Sequence, residues 1–147
     1  MRKLLASARP PESAFLVMQR EAAMRWTGDG GECVAALSAK LRFEFEIVLA
    51  LRRQEFVPWP RVSSVLLGVR RRPRPLLSPA ASRPFERFIE RAFGRGGGSL
   101  GQNLGRVARS KRVLTAVREL EVDLDGPPSA VTFGQWLALF QHLEPHG

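Results

Sequence analysis

The sequence predicts an all-α fold, a small bundle of about five helices with a proline- and arginine-rich connector. Apolar residues recur at intervals of three and four along several segments, as on one face of a helix, and Gly and Pro separate these segments. Of the 147 residues, 44% are apolar and 25% are charged, a composition typical of globular proteins. Since this length fits one domain, we expect a single helical domain over residues 1–147.

The N-terminal part is predicted to form two helices after a disordered terminus at residues 1–11. A first helix over residues 10–26 ends at a glycine-rich turn. Residues 33–56 fit two periods, because the apolar residues of this segment recur at helical spacing and also alternate with charged residues, as in a strand. A helix is favoured because the first half is rich in Ala, Leu and Lys, and a strand over residues 41–49 stays the alternative.

Proline marks the middle of the chain. The second helix ends at Pro58-Trp59-Pro60, because proline lacks an amide hydrogen and pushes its predecessor out of helical geometry. A short third helix over residues 62–69 follows, and then a basic, proline-rich linker at residues 70–82 without apolar periodicity. Ser82 is predicted to cap a fourth helix whose second position is Pro84.

Two further helices complete the predicted bundle. Ser99 is a candidate cap for a long basic helix that reaches about residue 122. Thr132 and Gln135 form a capping box at the start of the last helix, in which each side chain bonds the other residue's backbone. The core is expected to consist of the apolar faces of residues 34–56, 85–93, 99–122 and 133–143.

Positive charge is concentrated in the middle of the chain. The formal net charge is +9, yet residues 61–118 hold 14 Arg or Lys against two acids, and residues 119–147 hold five acids and no Arg or Lys. Guanidinium groups offer paired donors to phosphate, so clustered arginines predict contact with an anion or a nucleic acid. The candidate contact residues are Arg70, Arg71, Arg72, Arg74, Arg106, Arg109, Lys111 and Arg112.

Side chains suited to catalysis do not form a recognisable constellation. The two histidines, His142 and His146, lie near the C-terminal end, and Cys33 is the only cysteine, so neither a catalytic triad nor a metal site is predicted. Residues 96–101 match G-x-G-x-x-G, but the residues before them have a helical period where a dinucleotide site needs a strand. We therefore expect no enzyme activity, no metal and no cofactor.

The sequence thus predicts a non-enzymatic helical adaptor or assembly subunit that binds a protein partner, with its basic central region against an acidic surface. The alternative is a sequence-nonspecific nucleic-acid-binding protein. No segment is apolar enough to span a membrane, and a single cysteine favours a reducing compartment, so we expect an intracellular protein of the nucleus or cytoplasm. The basic start of the chain is also compatible with organelle import.

Overall fold

The computed structural model describes residues 1–5, 7, 9–94, 97–105 and 109–143. Its first half is a three-stranded antiparallel sheet with helices on one face, and its second half is helical. The strands are β1 (Ser13–Gln19), β2 (Phe43–Leu51) and β3 (Ser64–Arg71). The helices are α1 (Arg2–Leu5), α2 (Arg20–Thr27), α3 (Val34–Lys40), α4 (Pro79–Phe93), α5 (Leu100–Leu104), α6 (Lys111–Glu119) and α7 (Phe133–Leu143). None of these helices is long and apolar enough to cross a membrane.

The sheet contradicts the prediction of an all-α bundle. β1 occupies the first part of the helix predicted at residues 10–26, and β3 takes the place of the short helix predicted at residues 62–69. Both strands have apolar side chains on their two faces, so neither shows the alternation that identifies a half-buried strand. The helical spacing of their apolar residues is therefore coincidental.

For residues 41–49, the strand alternative is the correct one. The predicted long helix stops at Lys40, where α3 ends, and β2 begins at Phe43. Alternation along β2 places Phe43, Phe45 and Ile47 together in the apolar cluster beneath the sheet. Burial of these three side chains on one face stabilises the strand more than local helix propensity favours a helix.

β3 is the central strand and pairs with both β1 and β2. A β-bulge interrupts β2 between Ile47 and Leu49. The inward face of the sheet contacts α2 and α3, and Trp26 of α2 lies over Phe45 with ring centroids 5.3 Å apart. The opposite face, here the outward face, consists of Ser13, Phe15, Val17, Glu44, Glu46, Val48, Leu49, Leu66, Gly68 and Arg70.

The helices of the second half enclose a core built on aromatic rings. Trp136, Phe85 and Phe140 are buried, and the rings of Phe85 and Phe140 meet edge to face with centroids 5.3 Å apart. The same apolar cluster includes Leu37 and Leu41 from the first half. Buried apolar contacts therefore join the two halves.

The helix caps agree with the sequence in part. The Thr132 hydroxyl accepts the Gln135 N–H at 3.3 Å, and Gln135 Oε1 accepts the Thr132 N–H at 2.9 Å, which confirms the predicted capping box. Ser99 caps a helix as predicted, but that helix, α5, ends within a few residues. α4 begins earlier than predicted. Its cap is Ser78 and not Ser82, because the Ser78 hydroxyl accepts the Ala81 N–H at 3.2 Å.

The two segments predicted to be irregular contain regular structure. Residues 1–11 include α1, whose Leu5 is buried in the cluster beneath the sheet. Residues 70–82 begin with the last two residues of β3 and end inside α4. Between these elements Leu77 is buried in the helical core, and the Leu76 N–H donates to the Leu41 carbonyl at 2.9 Å. The prediction of a single domain stays a prediction.

Candidate nucleic-acid interface

The residues predicted to contact an anion fall into two groups. The first group lies at the end of β3 and in the loop after it, and consists of Arg70, Arg71, Arg72 and Arg74. The second group lies at the start of α6 and consists of Arg109, Lys111 and Arg112. Arg106 falls outside the described residues. Within these groups every side chain is exposed except that of Arg72, which is half-buried.

Glu44 on β2 holds two arginines of the first group in place. Arg70 Nε donates to Glu44 Oε2 at 2.9 Å, and Arg72 Nη1 donates to Glu44 Oε1 at 2.8 Å. Arg72 Nε also donates to the Lys40 carbonyl at 3.0 Å, which ties the end of β3 to the end of α3. The hydrogen bond from Arg70 lowers the pKa of the Glu44 carboxyl; desolvation opposes this, and the charges of both guanidiniums add to it.

Replacing Glu44 by Gln is expected to destabilise the protein at neutral pH, and the difference should shrink as the pH falls below the ordinary pKa of 4.5. Because folding lowers the pKa of Glu44, its stabilisation is fully present above the ordinary value of 4.5 and is lost as the pH falls through the lowered value. Urea unfolding of both proteins across this pH range measures the difference. A difference between the two proteins that grows as the pH falls below the ordinary pKa would show that the carboxylate charge is not its source.

The first group opens onto a concave basic surface. A depression of about 660 Å³ is lined by Glu12, Ser13, Arg42, Arg70, Arg71, Arg72, Pro73 and Pro75. Arg71 lies 3.7 Å from Glu12, whereas Arg42 has no carboxylate within ion-pair distance in the part of the chain that the structure describes. Guanidinium groups outnumber the single carboxylate of the lining, so the depression is suited to a phosphate group.

The loop between β2 and β3, here the Trp59 loop, carries exposed apolar side chains among arginines. Val57 is 96% exposed and Trp59 is 68% exposed. Arg52, Arg53 and Arg61 are exposed on the same loop. An aromatic ring that can stack on a base, next to guanidinium groups that can bind phosphates, is the recurring combination in proteins that bind single-stranded RNA.

Sequence reasoning missed the Trp59 loop. It used Pro58-Trp59-Pro60 only as a helix stop. The available signal was a tryptophan between two prolines, with arginines on both sides. Prolines on both sides keep a residue out of regular helix and central strand, so a large ring there is expected at the surface.

The second group occupies a separate concavity on the helical half. Ser110 caps α6 by accepting the Val113 N–H at 3.3 Å. Lys111 and Arg112 then line a shallow hollow of about 340 Å³ together with Thr115 and His142. The structure therefore does not bring the two predicted groups into one concavity.

A buried ion pair lies where the sheet meets the helical half. Lys40 and Glu32 are each 7% exposed, and Lys40 Nζ donates to Glu32 Oε1 and, at 3.0 Å, to the Thr27 carbonyl. The Glu32 N–H donates to the Ser129 carbonyl of the helical half at 2.8 Å. Lys40 Nζ also lies 5.9 Å from the centroid of the Phe133 ring. These contacts give the pair a structural role at the joint between the halves.

Comparison with known proteins finds one family that spans almost the whole chain. The model of the family described as ribosomal RNA adenine dimethylase matches residues 1–144. The chain belongs to this family. Two relatives are rRNA adenine N-6-methyltransferases: that of Streptomyces fradiae is 37% identical over 94% of this chain, and that of Aeromicrobium erythreum is 39% identical over 90%. The matches cover 44% and 39% of these relatives, so the chain spans about two fifths of their length.

Solved structures agree with the family. The 23S rRNA methyltransferase ErmE matches with a TM-score of 0.86 and 34% identity, over 96% of this chain and 58% of that chain. A dimethyladenosine transferase from Plasmodium falciparum, 17% identical, matches with a TM-score of 0.59 over 94% of this chain and 60% of that chain, and shows the fold alone. The fold class is therefore α/β, of the Rossmann-like methyltransferase kind.

Membership of the ribosomal RNA adenine dimethylase family overturns the functional predictions. The prediction of a non-enzymatic adaptor is wrong, because the family and these relatives are enzymes of RNA methylation. The prediction of a protein as the main partner is wrong for the same reason. The intracellular location is confirmed, since ribosomal RNA lies inside cells, whereas a nuclear location and organelle import find no support. The predicted contact residues stay predictions.

A dimethylase needs a methyl donor. Residues 96–101, here the glycine-rich segment, match G-x-G-x-x-G and are where a nucleotide-bearing donor would be sought. Three amides of this segment are bonded within the fold: the Ser99 N–H donates to Gln102 Oε1 at 3.1 Å, the Leu100 N–H to the Gly126 carbonyl at 2.9 Å, and the Gly101 N–H to the Leu124 carbonyl at 2.7 Å. The element before the segment is the helix α4, where a donor site needs a strand. The residues described in this segment therefore do not fit a methyl donor.

Proposed function

We propose that this chain is the RNA-binding part of a ribosomal RNA adenine N6-methyltransferase. The observation that carries the proposal is the Trp59 loop, in which an exposed indole ring stands among exposed Arg52, Arg53 and Arg61. Family membership indicates the substrate class, and the loop offers the two contacts that single-stranded RNA needs. The role proposed for the loop is to stack on a base while its arginines bind the flanking phosphates.

Such a loop also fits the geometry of adenine modification. The N6 amino group of a paired, stacked adenine is inaccessible, so an enzyme that modifies it acts on a base that has left the stack. Stacking on an aromatic side chain stabilises an unstacked base by about 1–3 kcal/mol, and it works for any base because each has a π face. The proposed contribution of this chain is therefore to bind RNA and to hold bases outside their helix.

The basic depression at the end of β3 extends the proposed contact surface. The Trp59 loop precedes Ser64 at one end of β3, and Arg71 lies at the other end. An eight-residue strand spans about 23 Å between its end residues, so a few nucleotides of extended RNA can reach from the loop to the depression. Arg71 in the lining and the exposed Arg74 in the loop after β3 are the proposed phosphate contacts at this end, and Arg70 and Arg72 shape the depression through Glu44.

Salt-dependent binding to RNA tests this function. The probe is a hairpin from the large ribosomal subunit RNA with unpaired adenosines, and fluorescence anisotropy measures Kd from about 50 to 300 mM KCl. We expect log Kd to rise linearly with log salt concentration, and the double variant R52A/R53A to reduce the slope by about 1.4, since each single-strand phosphate contact contributes about 0.7. This is the expected outcome for direct phosphate contacts by the loop.

A matched control removes the same charge elsewhere. The double variant R87A/R91A changes two exposed arginines of α4, and its salt slope should equal that of the wild type. Equal slopes for both double variants and the wild type, or binding that does not respond to salt, would exclude Arg52 and Arg53 as phosphate contacts.

A further inference from the structure

Val57 of the Trp59 loop stands almost entirely in solvent. Its exposed fraction of 96% is the highest of any large apolar residue in the part of the chain that the structure describes. It is not an isolated case, because Trp59 and Val62 of the same loop are also exposed. Folding buries none of these side chains well, so packing within the protein does not account for them. Contact with RNA would bury them and is favourable for that reason.

The main chain around Val57 is restrained. The Arg52 N–H donates to Glu55 Oε2 at 2.9 Å, and the Glu55 N–H donates to the Arg52 carbonyl at 3.0 Å, which closes a tight turn two residues before Val57. Pro58 follows Val57, and a proline restricts both its own φ and the conformation of the residue before it. The valine side chain is stiff as well, because it branches at Cβ. Val57 is therefore held in place before RNA binds, and its contact with RNA loses little conformational entropy.

A base that stacks on Trp59 leaves a gap in the stack from which it came. The two bases that flank the gap regain stacking energy when they close it, and this competes with the removal of the base. Proteins that hold a base step open insert an apolar side chain between the bases, since a polar one would lose its hydrogen bonds to water there. The proposed role of the Trp59 loop therefore needs an apolar wedge in addition to the ring.

Val57 is the residue of the loop that fits such a wedge. Two residues of extended chain span at most about 7 Å, so Val57 and Trp59 can reach the same nucleotide. Phe56 is half-buried and Val62 is 43% exposed, so both extend less far into solvent. Pro58 is exposed next to Val57 and widens the same apolar surface. Apart from the prolines, the remaining residues of the loop are polar or charged.

We propose that Val57 inserts into the RNA stack as a wedge, between the two bases that flank the base held by Trp59. This inference rests on the proposed function, because it assigns a positioning residue within the same RNA contact. The wedge keeps the flanking bases apart while the ring of Trp59 stacks on the base that has left. The exposed Arg52, Arg53 and Arg61 bind the neighbouring phosphates.

A fluorescent base beside the gap tests the wedge. A set of ribosomal RNA hairpins carries 2-aminopurine next to each unpaired adenosine in turn, and stacking on another base quenches the fluorescence of this probe. An aliphatic wedge separates the probe from its neighbour, so we expect a rise of at least about 3-fold in one hairpin when the wild type saturates it. At saturation V57A should leave the fluorescence near the value of the free RNA, because the flanking bases restack. V57I keeps a branched apolar side chain and should retain the rise.

Affinity for two kinds of RNA separates the wedge from stacking on Trp59. Because V57A removes two methyl groups that the stack would bury, it should weaken binding of the hairpin by about 5- to 15-fold without a change in salt slope. Oligouridylate has little stacking to interrupt, so V57A should bind it like the wild type, whereas W59A should bind both RNAs more weakly. V62A makes the same change at another exposed valine of the loop, and it should equal the wild type in every measurement.

The outcomes distinguish failure of the wedge from failure of RNA binding. If the wild type binds neither RNA, the proposed function and the wedge fail together. If W59A weakens binding of both RNAs but V57A matches the wild type in hairpin affinity and in probe fluorescence, the wedge alone is excluded. Equal weakening of both RNAs by V57A would also overturn the proposal, because it would show a general apolar contact that does not depend on stacked bases.

Discussion

Replacing Lys40 by Ala is expected to destabilise the protein by about 3–5 kcal/mol, because it leaves the Glu32 carboxylate buried without its counter-charge. Both side chains are nearly inaccessible to solvent, and Glu32 Oε2 has no hydrogen-bond partner among the described residues. The variant also removes the donor to the Thr27 carbonyl and the cation next to the Phe133 ring. Urea unfolding at neutral pH measures the lost stability. The midpoint should fall while the dependence of the free energy of unfolding on urea concentration stays the same.

The double variant E32L/K40M separates the cost of a lone charge from the value of the pair. Both residues become apolar with similar volume, and replacement of a buried ion pair in this way is often neutral or stabilising. We therefore expect the free energy of unfolding of the double variant to lie within about 1 kcal/mol of the wild-type value or above it. If K40A alone loses less than about 1 kcal/mol, the pair is solvated and does not hold the joint between the halves.

Replacing Trp59 by Ala is expected to weaken binding of the ribosomal RNA hairpin by about 5- to 150-fold, the equivalent of a stacking energy of about 1–3 kcal/mol. The ring is 68% exposed, so its removal should leave the unfolding midpoint unchanged. The salt slope should also be unchanged, because the substitution removes no charge. Fluorescence anisotropy across the same salt range measures both quantities.

The conservative variant W59F tests whether lost stacking causes the weaker RNA binding of W59A. A phenyl ring keeps a π face at the same position, so W59F should retain most of the affinity that W59A loses. Equal weakening by both variants would point to a change in loop shape, and equal affinity of W59A and the wild type would exclude Trp59 from the RNA contact.

The helices of the second half could be predicted because their signals are local. α7 has its capping box at Thr132 and Gln135 and a single buried stripe, and α4 buries Phe85 and Ile89 one turn apart. Each signal lies within one turn of the element that it defines. The placement of α4 was wrong at its start because Ser78 and Ser82 both stand before apolar residues and either could cap a helix.

The strands could not be predicted because their signals depend on tertiary contacts. β1 exposes Phe15 and Val17 on the outward face, so apolar residues occupy both faces and the alternation is lost. β2 does alternate, but the Ala, Leu and Lys residues before it favour a helix, and no Gly or Pro marks the turn between them. Leu41 and Arg42 suffice for that turn, because the Arg42 N–H bonds the Ala39 carbonyl at 3.0 Å. Pairing with β3 then stabilises strands that the local propensity of their residues does not favour.

Function was the least predictable property, for a physical reason. The relation to ribosomal RNA adenine dimethylases extends over residues 1–144, so it is a property of the whole chain and not of one local spacing. The one local signal is the tryptophan between prolines, since its position forces the ring to the surface. Clustered arginines indicated an anion, but Arg70 and Arg72 are engaged by Glu44, which no spacing in the sequence reveals.

Ultraviolet cross-linking of the bound ribosomal RNA hairpin, followed by trypsin digestion and mass spectrometry, tests the central claim most directly. Trypsin releases residues 54–61, with Trp59 inside, as one peptide between Arg53 and Arg61. The account predicts that this peptide is the main cross-linked product and that W59A removes the cross-link. Cross-links confined to α4–α7, with none in residues 54–61, would contradict it.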